Sequence, residues 1–124
     1  MRCVPMLMVK NVPDSVRWYR TLLGAGNDHG RDDFDQIVSG RTVLVMLHAV
    51  REGEHGLTVP RPGERSGVGC ALWFSTDDLA AAYRRARGLG TEILAEPRDN
   101  PRAGWREFSL RDPDGYTINL HSEG

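Results

Sequence analysis

The sequence predicts an α+β domain made of two βαβββ modules in tandem. Three observations carry this expectation. A series of strand-like apolar runs with one amphipathic helix occurs twice along the chain. Matching Asn11-Val12 to Asp78-Leu79 brings Leu22-Leu23 beside Leu89-Gly90. The strand-like runs alternate in polarity with period two, as half-buried strands do. A single repeat of this length implies a duplicated half-domain, because solenoids need more copies. Module one is expected over about residues 1–58 and module two over about 66–124, the two forming one domain that buries roughly two-thirds of its extended surface.

The elements follow in order. Val4 to Val9 is a short apolar run closed by Asn11-Val12-Pro13, and reads as a strand. Pro13 opens a helix with Asp14 and Ser15 in its first turn; Val16, Tyr19, Leu22 and Leu23 follow at helical spacing, and Gly24 stops it. After a polar stretch, Phe34 to Ser39 and Thr42 to Val50 are strands joined by a Gly40-Arg41 turn. Arg51 to Gly67 holds four glycines and two prolines and reads as a linker. In the second half, Gly69 to Ser75 is a strand, and Asp77-Asp78-Leu79 starts a helix that runs to about Gly88. Thr91 to Glu96, Arg106 to Leu110 and Tyr116 to His121 are strands, the last two joined across Asp112-Pro113-Asp114-Gly115, where Asp-Gly is a strong turn signal.

Composition removes several function classes. A net charge of −1 gives no electrostatic case for nucleic acid. No run is long enough to cross a bilayer, and the first residues lack the apolar core of a signal peptide, so a cytoplasmic protein is expected. Two cysteines, Cys3 and Cys70, sit inside apolar runs and are expected as buried, reduced thiols. The acidic group Asp28, Asp32, Asp33 and Asp35 reads as a solvated loop, and His29 and His55 as solvated loop residues. No Ser-His-Asp or Cys-His arrangement and no phosphate-binding glycine loop is legible.

Alternation divides the strands into two faces. Val43, Val45 and Leu47, then Cys70, Leu72 and Phe74, Phe108 and Leu110, and Tyr116, Ile118 and Leu120 should pack under helices. The opposite face carries Leu44, Met46 and His48, Ala71, Trp73 and Ser75, Trp105, Glu107 and Ser109, and Thr117, Asn119 and His121. This second face is mixed everywhere, which suits a lined cavity better than a packed core. Trp18 is expected against the sheet or a partner subunit.

The run Val9-Lys10-Asn11-Val12-Pro13-Asp14-Ser15-Val16-Arg17-Trp18-Tyr19 with Leu22-Leu23-Gly24, the segment Asp77-Asp78-Leu79 with Gly90, and Trp105-Arg106-Glu107-Phe108 with Asp112-Pro113-Asp114-Gly115-Tyr116 together resemble the glyoxalase/bleomycin-resistance family, also called the vicinal-oxygen-chelate superfamily. The resemblance covers nearly the whole chain. It implies that the two modules curl into a cupped, open barrel, and that the protein is a homodimer. The family contains isomerases, dioxygenases, thiol transferases and binding proteins, so it specifies fold more than function. Its metal enzymes place ligands at positions that fall here on Val4, Met46, Ala71 and Asn119. Val, Met and Ala offer no nitrogen or carboxylate oxygen, which departs from the metal-dependent pattern.

The resulting expectation is a metal-independent, cofactor-free protein that sequesters a small, partly aromatic ligand in the barrel cleft, similar to the bleomycin-resistance branch. Trp73 and Trp105 would stack on the ligand, with Met6, Met8 and Met46 as an adaptable lining. Glu107, Ser109, Asn119, His48 and His121 would orient it. The alternative is an enzyme of the same fold, a lyase, isomerase or dioxygenase-like catalyst using Glu107 or a His as base. That enzyme would act without metal or with a displaced site built from His48, His121 and Glu107. A third reading fills the barrel with these side chains and leaves an interaction module.

Overall fold

The computed structural model of the chain describes residues 1–51 and 53–123, so Glu52 of the linker lies outside the description. The chain forms two compact units, Met1–Glu64 and Arg65–Gly124. Each is a four-stranded mixed sheet with one helix. The fold is α+β, two βαβββ modules in tandem. No helix among the described residues is long and apolar enough to cross a membrane.

The first unit runs β1 (Met6–Val9), α1 (Val12–Leu23), β2 (Gly26–Asn27), β3 (Phe34–Ser39) and β4 (Thr42–Ala49), with sheet order β1-β4-β3-β2. β1 and β4 are parallel, which is why a helix must separate β1 from the rest of its module. α1 starts where Asn11 accepts the Asp14 amide at 2.9 Å and Pro13 sits in the first turn. It stops at Gly24, whose left-handed backbone (φ 60°) lets its amide reach the Arg20 carbonyl. The apolar stripe Val12, Val16, Tyr19 and Leu22 is buried, as are Val9, Ile37, Val45 and Leu47 of the sheet. Full burial of each of the larger side chains, Tyr19 and Leu22 first, stabilises the unit by about 1.5–3 kcal/mol.

β2 supplies the strand that the polar stretch after α1 conceals. It is two residues long, too short for a period to show, and Gly26 and Asn27 pair with Val38 and Ile37. Asp35 corrects another expectation. It lies on β3 rather than in a solvated loop, and is buried. Its carboxylate accepts the Asn27 side chain at 2.8 Å and the amides of His29 and Gln36 at 3.0 and 2.7 Å. Burial pushes its pKa up, but these hydrogen bonds outweigh that and hold it below the usual value.

The second unit repeats the plan with β5 (Ala71–Ser75), α2 (Leu79–Gly88), β6 (Ile93–Asn100), β7 (Trp105–Arg111) and β8 (Thr117–Glu123), in the order β5-β8-β7-β6. Asp78 caps α2 by accepting the Ala81 amide at 3.0 Å. The helix buries Leu79, Ala82 and Ala86. Phe108, Leu110, Ile118 and Leu120 are buried on β7 and β8, and Tyr83 of α2 meets Phe108 edge-on at 5.2 Å. Between β7 and β8, buried Asp112 accepts the amides of Asp114 and Tyr116 at 2.9 and 2.8 Å. The turn is thus built on a carboxylate, with Gly115 at φ 94°. Gly67 approaches the Tyr116 ring so closely that a Cβ there would collide with it.

Two further expectations need correcting. Cys3 and Cys70 are both exposed, because each lies just before a strand rather than inside it. β6 reaches Asn100, beyond the expected end at Glu96, by absorbing two register shifts that an alternation pattern does not register.

Candidate functional site

In the second unit, strand alternation sends Phe108, Leu110, Ile118 and Leu120 to the buried side and the residues between them to the other face. Across β7 and β8, Glu107 lies opposite His121 and Ser109 opposite Asn119; across β8 and β5, Asn119 lies opposite Trp73. Cross-strand neighbours share a face, so these side chains are gathered by register alone. Trp105 stacks on His121 with ring centres 4.3 Å apart and planes inclined by 29°. Trp73 stands 5.9 Å from Trp105 and 5.6 Å from His121. Trp73 is 49% exposed, an unusual state for a tryptophan that leaves much of its ring to solvent.

Beneath the rings lies Glu107, which is buried. One carboxylate oxygen accepts the Asn100 amide group at 2.5 Å and the Trp105 indole N–H at 3.4 Å; the other accepts the Asn119 amide group at 2.5 Å. Burial pushes the Glu107 pKa up. The hydrogen bonds from Asn100, Asn119 and Trp105, with the charge of Arg98 across the strand, more than offset it and hold the carboxyl below its usual range. Glu107 is therefore an ionised acceptor held by three donors. That is a poor state for a base meant to work near neutrality.

The carboxylate also decides how Asn119 is oriented. An ionised carboxylate only accepts, so Asn119 must turn its NH2 toward Glu107 and its carbonyl away. That carbonyl oxygen is buried and has no partner among the described residues; the same holds for Nδ1 of His121. A buried polar atom left unpaired costs about 1–3 kcal/mol, so a hydrogen-bonding partner at either atom would relieve a local cost.

Across residues 4–120 the chain matches the Glyoxalase/Bleomycin resistance protein/Dioxygenase superfamily. The chain belongs to this superfamily. Solved structures of the same fold include a protein of unknown function from Agrobacterium tumefaciens str. C58, 23% identical with a TM-score of 0.76, the alignment covering 100% of this chain and 95% of the other. TioX from Micromonospora sp. ML1 is 16% identical with a TM-score of 0.75, covering 100% and 99%. The fosfomycin resistance protein FosX from Mesorhizobium loti is 17% identical with a TM-score of 0.73, covering 100% and 92%. At these identities the likeness concerns the fold. No curated protein matches the chain.

The superfamily resemblance assigns metal ligands to Val4, Met46, Ala71 and Asn119, and the donor chemistry there does not fit a metal. Val4 precedes β1, and Met46 lies opposite Met6 in the β1–β4 register. Ala71 lies opposite Thr117, while Asn119 has its nitrogen committed to Glu107. Position by position, these four supply hydrocarbon, a thioether and a single amide oxygen, which is no donor set for a borderline or hard cation.

The remaining expected site residues are distributed as follows. Met6 and Met46 are half-buried neighbours in the first unit. His48 is buried on β4, with Nδ1 2.7 Å from the Ala49 carbonyl and its ring beside Phe34 and His55. Among the described residues, His48, Glu54 and His55 form a group of potential metal donors. Three participants escaped sequence reasoning. Asn100 lies past the expected end of β6, although Asn100-Pro101 followed by Gly104 is a turn signal that marks the strand's true end. Glu54 and His55 were hidden in the linker, inside a short 3₁₀ turn, Glu54–Gly56.

Proposed function

We propose that this protein binds a small, flat, partly aromatic molecule on the Trp73–Trp105–His121 face of its second module, holding it without chemical change. The observation that carries the reading is the half-exposed Trp73 ring beside the Trp105–His121 stack, with the unpartnered Asn119 carbonyl oxygen buried behind it and directed away from an ionised Glu107. Behind the rings lie an unpartnered acceptor at Asn119, an unpartnered ring nitrogen at His121 and the charge of Glu107. It therefore favours a ligand with N–H donors or a positive charge on a conjugated ring. The half-exposed Trp73 supplies stacking area. Capture needs affinity and no base, which agrees with a carboxylate kept below its usual pKa.

The test is a titration of tryptophan fluorescence with planar heteroaromatic compounds, using 2-aminobenzimidazole and its N-methylated analogues as the first set. The expected outcome is quenching by N–H-bearing members, abolished in Trp73→Ala. Turnover of a bound compound, lost in Glu107→Gln while binding persists, would replace this reading with an enzyme.

A further inference from the structure

The first module carries a second constellation that the ligand face does not use. His48 sits near the end of β4 with a side chain only 8% exposed. Its Nδ1 lies 2.7 Å from the Ala49 carbonyl oxygen, which can only accept, so Nδ1 carries a proton. In the neutral ring, Nε2 then presents a lone pair. That lone pair faces an oxygen of Glu54 at 3.3 Å, and Nε2 of His55 faces the same oxygen at 3.6 Å. The His48 lone pair and the Glu54 oxygen repel unless something positive lies between them, and His55 Nε2 stands beside the same oxygen as a third donor. One metal ion satisfies all three donors at once.

We propose that His48, Glu54 and His55 form a binding site for a borderline divalent transition-metal ion such as Zn2+, with a coordination position open to solvent. Two nitrogens and one carboxylate oxygen suit such an ion. Ligand atoms about 2.0–2.1 Å from a tetrahedral ion stand about 3.3–3.4 Å apart, close to the His48–Glu54 and His55–Glu54 separations. The donor atoms all lie within 4.8 Å of one another, and the exposed His55 ring can swing to close the widest gap.

The outer contacts are those of a ligating set. The Ala49 carbonyl fixes the His48 tautomer so that Nε2 is the ligand nitrogen. Arg51 lies 3.6 Å from the other Glu54 oxygen and 3.3 Å from Asp33, which orients the carboxylate and leaves its remaining oxygen to the histidines. His55 holds a left-handed backbone (φ 54°, ψ 26°), the one non-glycine residue with positive φ among those described. This conformation is uncommon outside glycine, and here it brings the ring beside His48. None of the three donors occupies a position that the superfamily resemblance assigns to a metal.

The experiment is titration of the full chain, with Cys3→Ser and Cys70→Ser removing the exposed thiols, by Zn2+ in calorimetry and by Co2+ in visible spectroscopy. The expected result is one ion per chain and Co2+ d–d bands of a low-coordinate N/O site. Glu54→Gln and His55→Asn should each weaken Zn2+ binding about 100-fold, at least the loss that outer-shell changes alone produce. Both substitutions lie in the first module, so quenching of Trp73 and Trp105 in the second by aromatic compounds should persist; the two proposals can fail separately. Absence of Zn2+ and Co2+ binding would overturn the site. Stoichiometric binding that survives both substitutions would overturn it as well.

Discussion

Replacing Glu107 by Gln changes one atom and should reverse the polarity of the ligand face. In the native network the carboxylate accepts from Asn100, Asn119 and Trp105. Glutamine keeps one acceptor and gains an NH2, which must then face a donor. Because the Asn119 carbonyl has no other partner among the described residues, the least costly response is a flip of the Asn119 amide. Its oxygen then accepts from Gln, and its NH2 turns to the ligand face. Charge-assisted hydrogen bonds are worth about 1.5–3 kcal/mol each against about 0.5–1.5 for neutral ones, so weakening three of them, less the relief of burying no charge, should cost about 2–3 kcal/mol. In urea unfolding that is a fall in midpoint of about 1–2 M. The pH dependence adds a signature. Glu107 has a folded pKa below its ordinary 4.5, so its contribution is present above that value and is lost as pH falls through the lower folded value. Glu107→Gln should remove this part of the acid sensitivity and leave the part due to Asp35, whose pKa is also lowered. Compounds carrying acceptors should gain on those carrying donors. An unchanged urea midpoint with undiminished acid sensitivity would refute the ionised network.

The other predictions concern separate parts of the chain. Asp112→Ala removes a buried carboxylate that accepts two turn amides, and should destabilise by about 2–4 kcal/mol in denaturant unfolding. Trp73→Ala removes a half-exposed ring; it should change stability by less than about 1 kcal/mol while weakening aromatic ligands at least tenfold in fluorescence titration. Both cysteines are exposed, and a colourimetric thiol reagent should label two per native chain without denaturant. Tyr19→Ala empties a fully buried site under α1 and should cost about 3–5 kcal/mol by the same unfolding assay.

Much of this was legible in the residues because it depends on short-range rules. Asn11-Val12-Pro13 and Gly24 bound α1, Asp112 to Gly115 make the β7–β8 turn, and period two puts Glu107 and Asn119 on one face. What escaped depends on tertiary context. β2 exists only because β3 offers it an edge, and two residues carry no period. Asp35 looks like its acidic loop neighbours until Asn27 and two amides bury it. Cys3 and Cys70 sit in apolar runs of the sequence, but the strands begin only at Met6 and Ala71, which leaves both thiols exposed. His55 read as a solvated loop residue because nothing local reveals that the linker folds back onto His48.

The central claim is that the Trp73–Trp105–His121 face takes a ligand through the carbonyl of Asn119. The most direct measurement is a fragment screen followed by amide and side-chain NMR shifts of the labelled protein. The account predicts that flat N–H-bearing fragments move the Asn119 side-chain amide, the Trp73 and Trp105 indole signals and the His121 ring together, leaving Trp18 unmoved. Fragments that bind elsewhere, or a library that moves none of these signals, would contradict it.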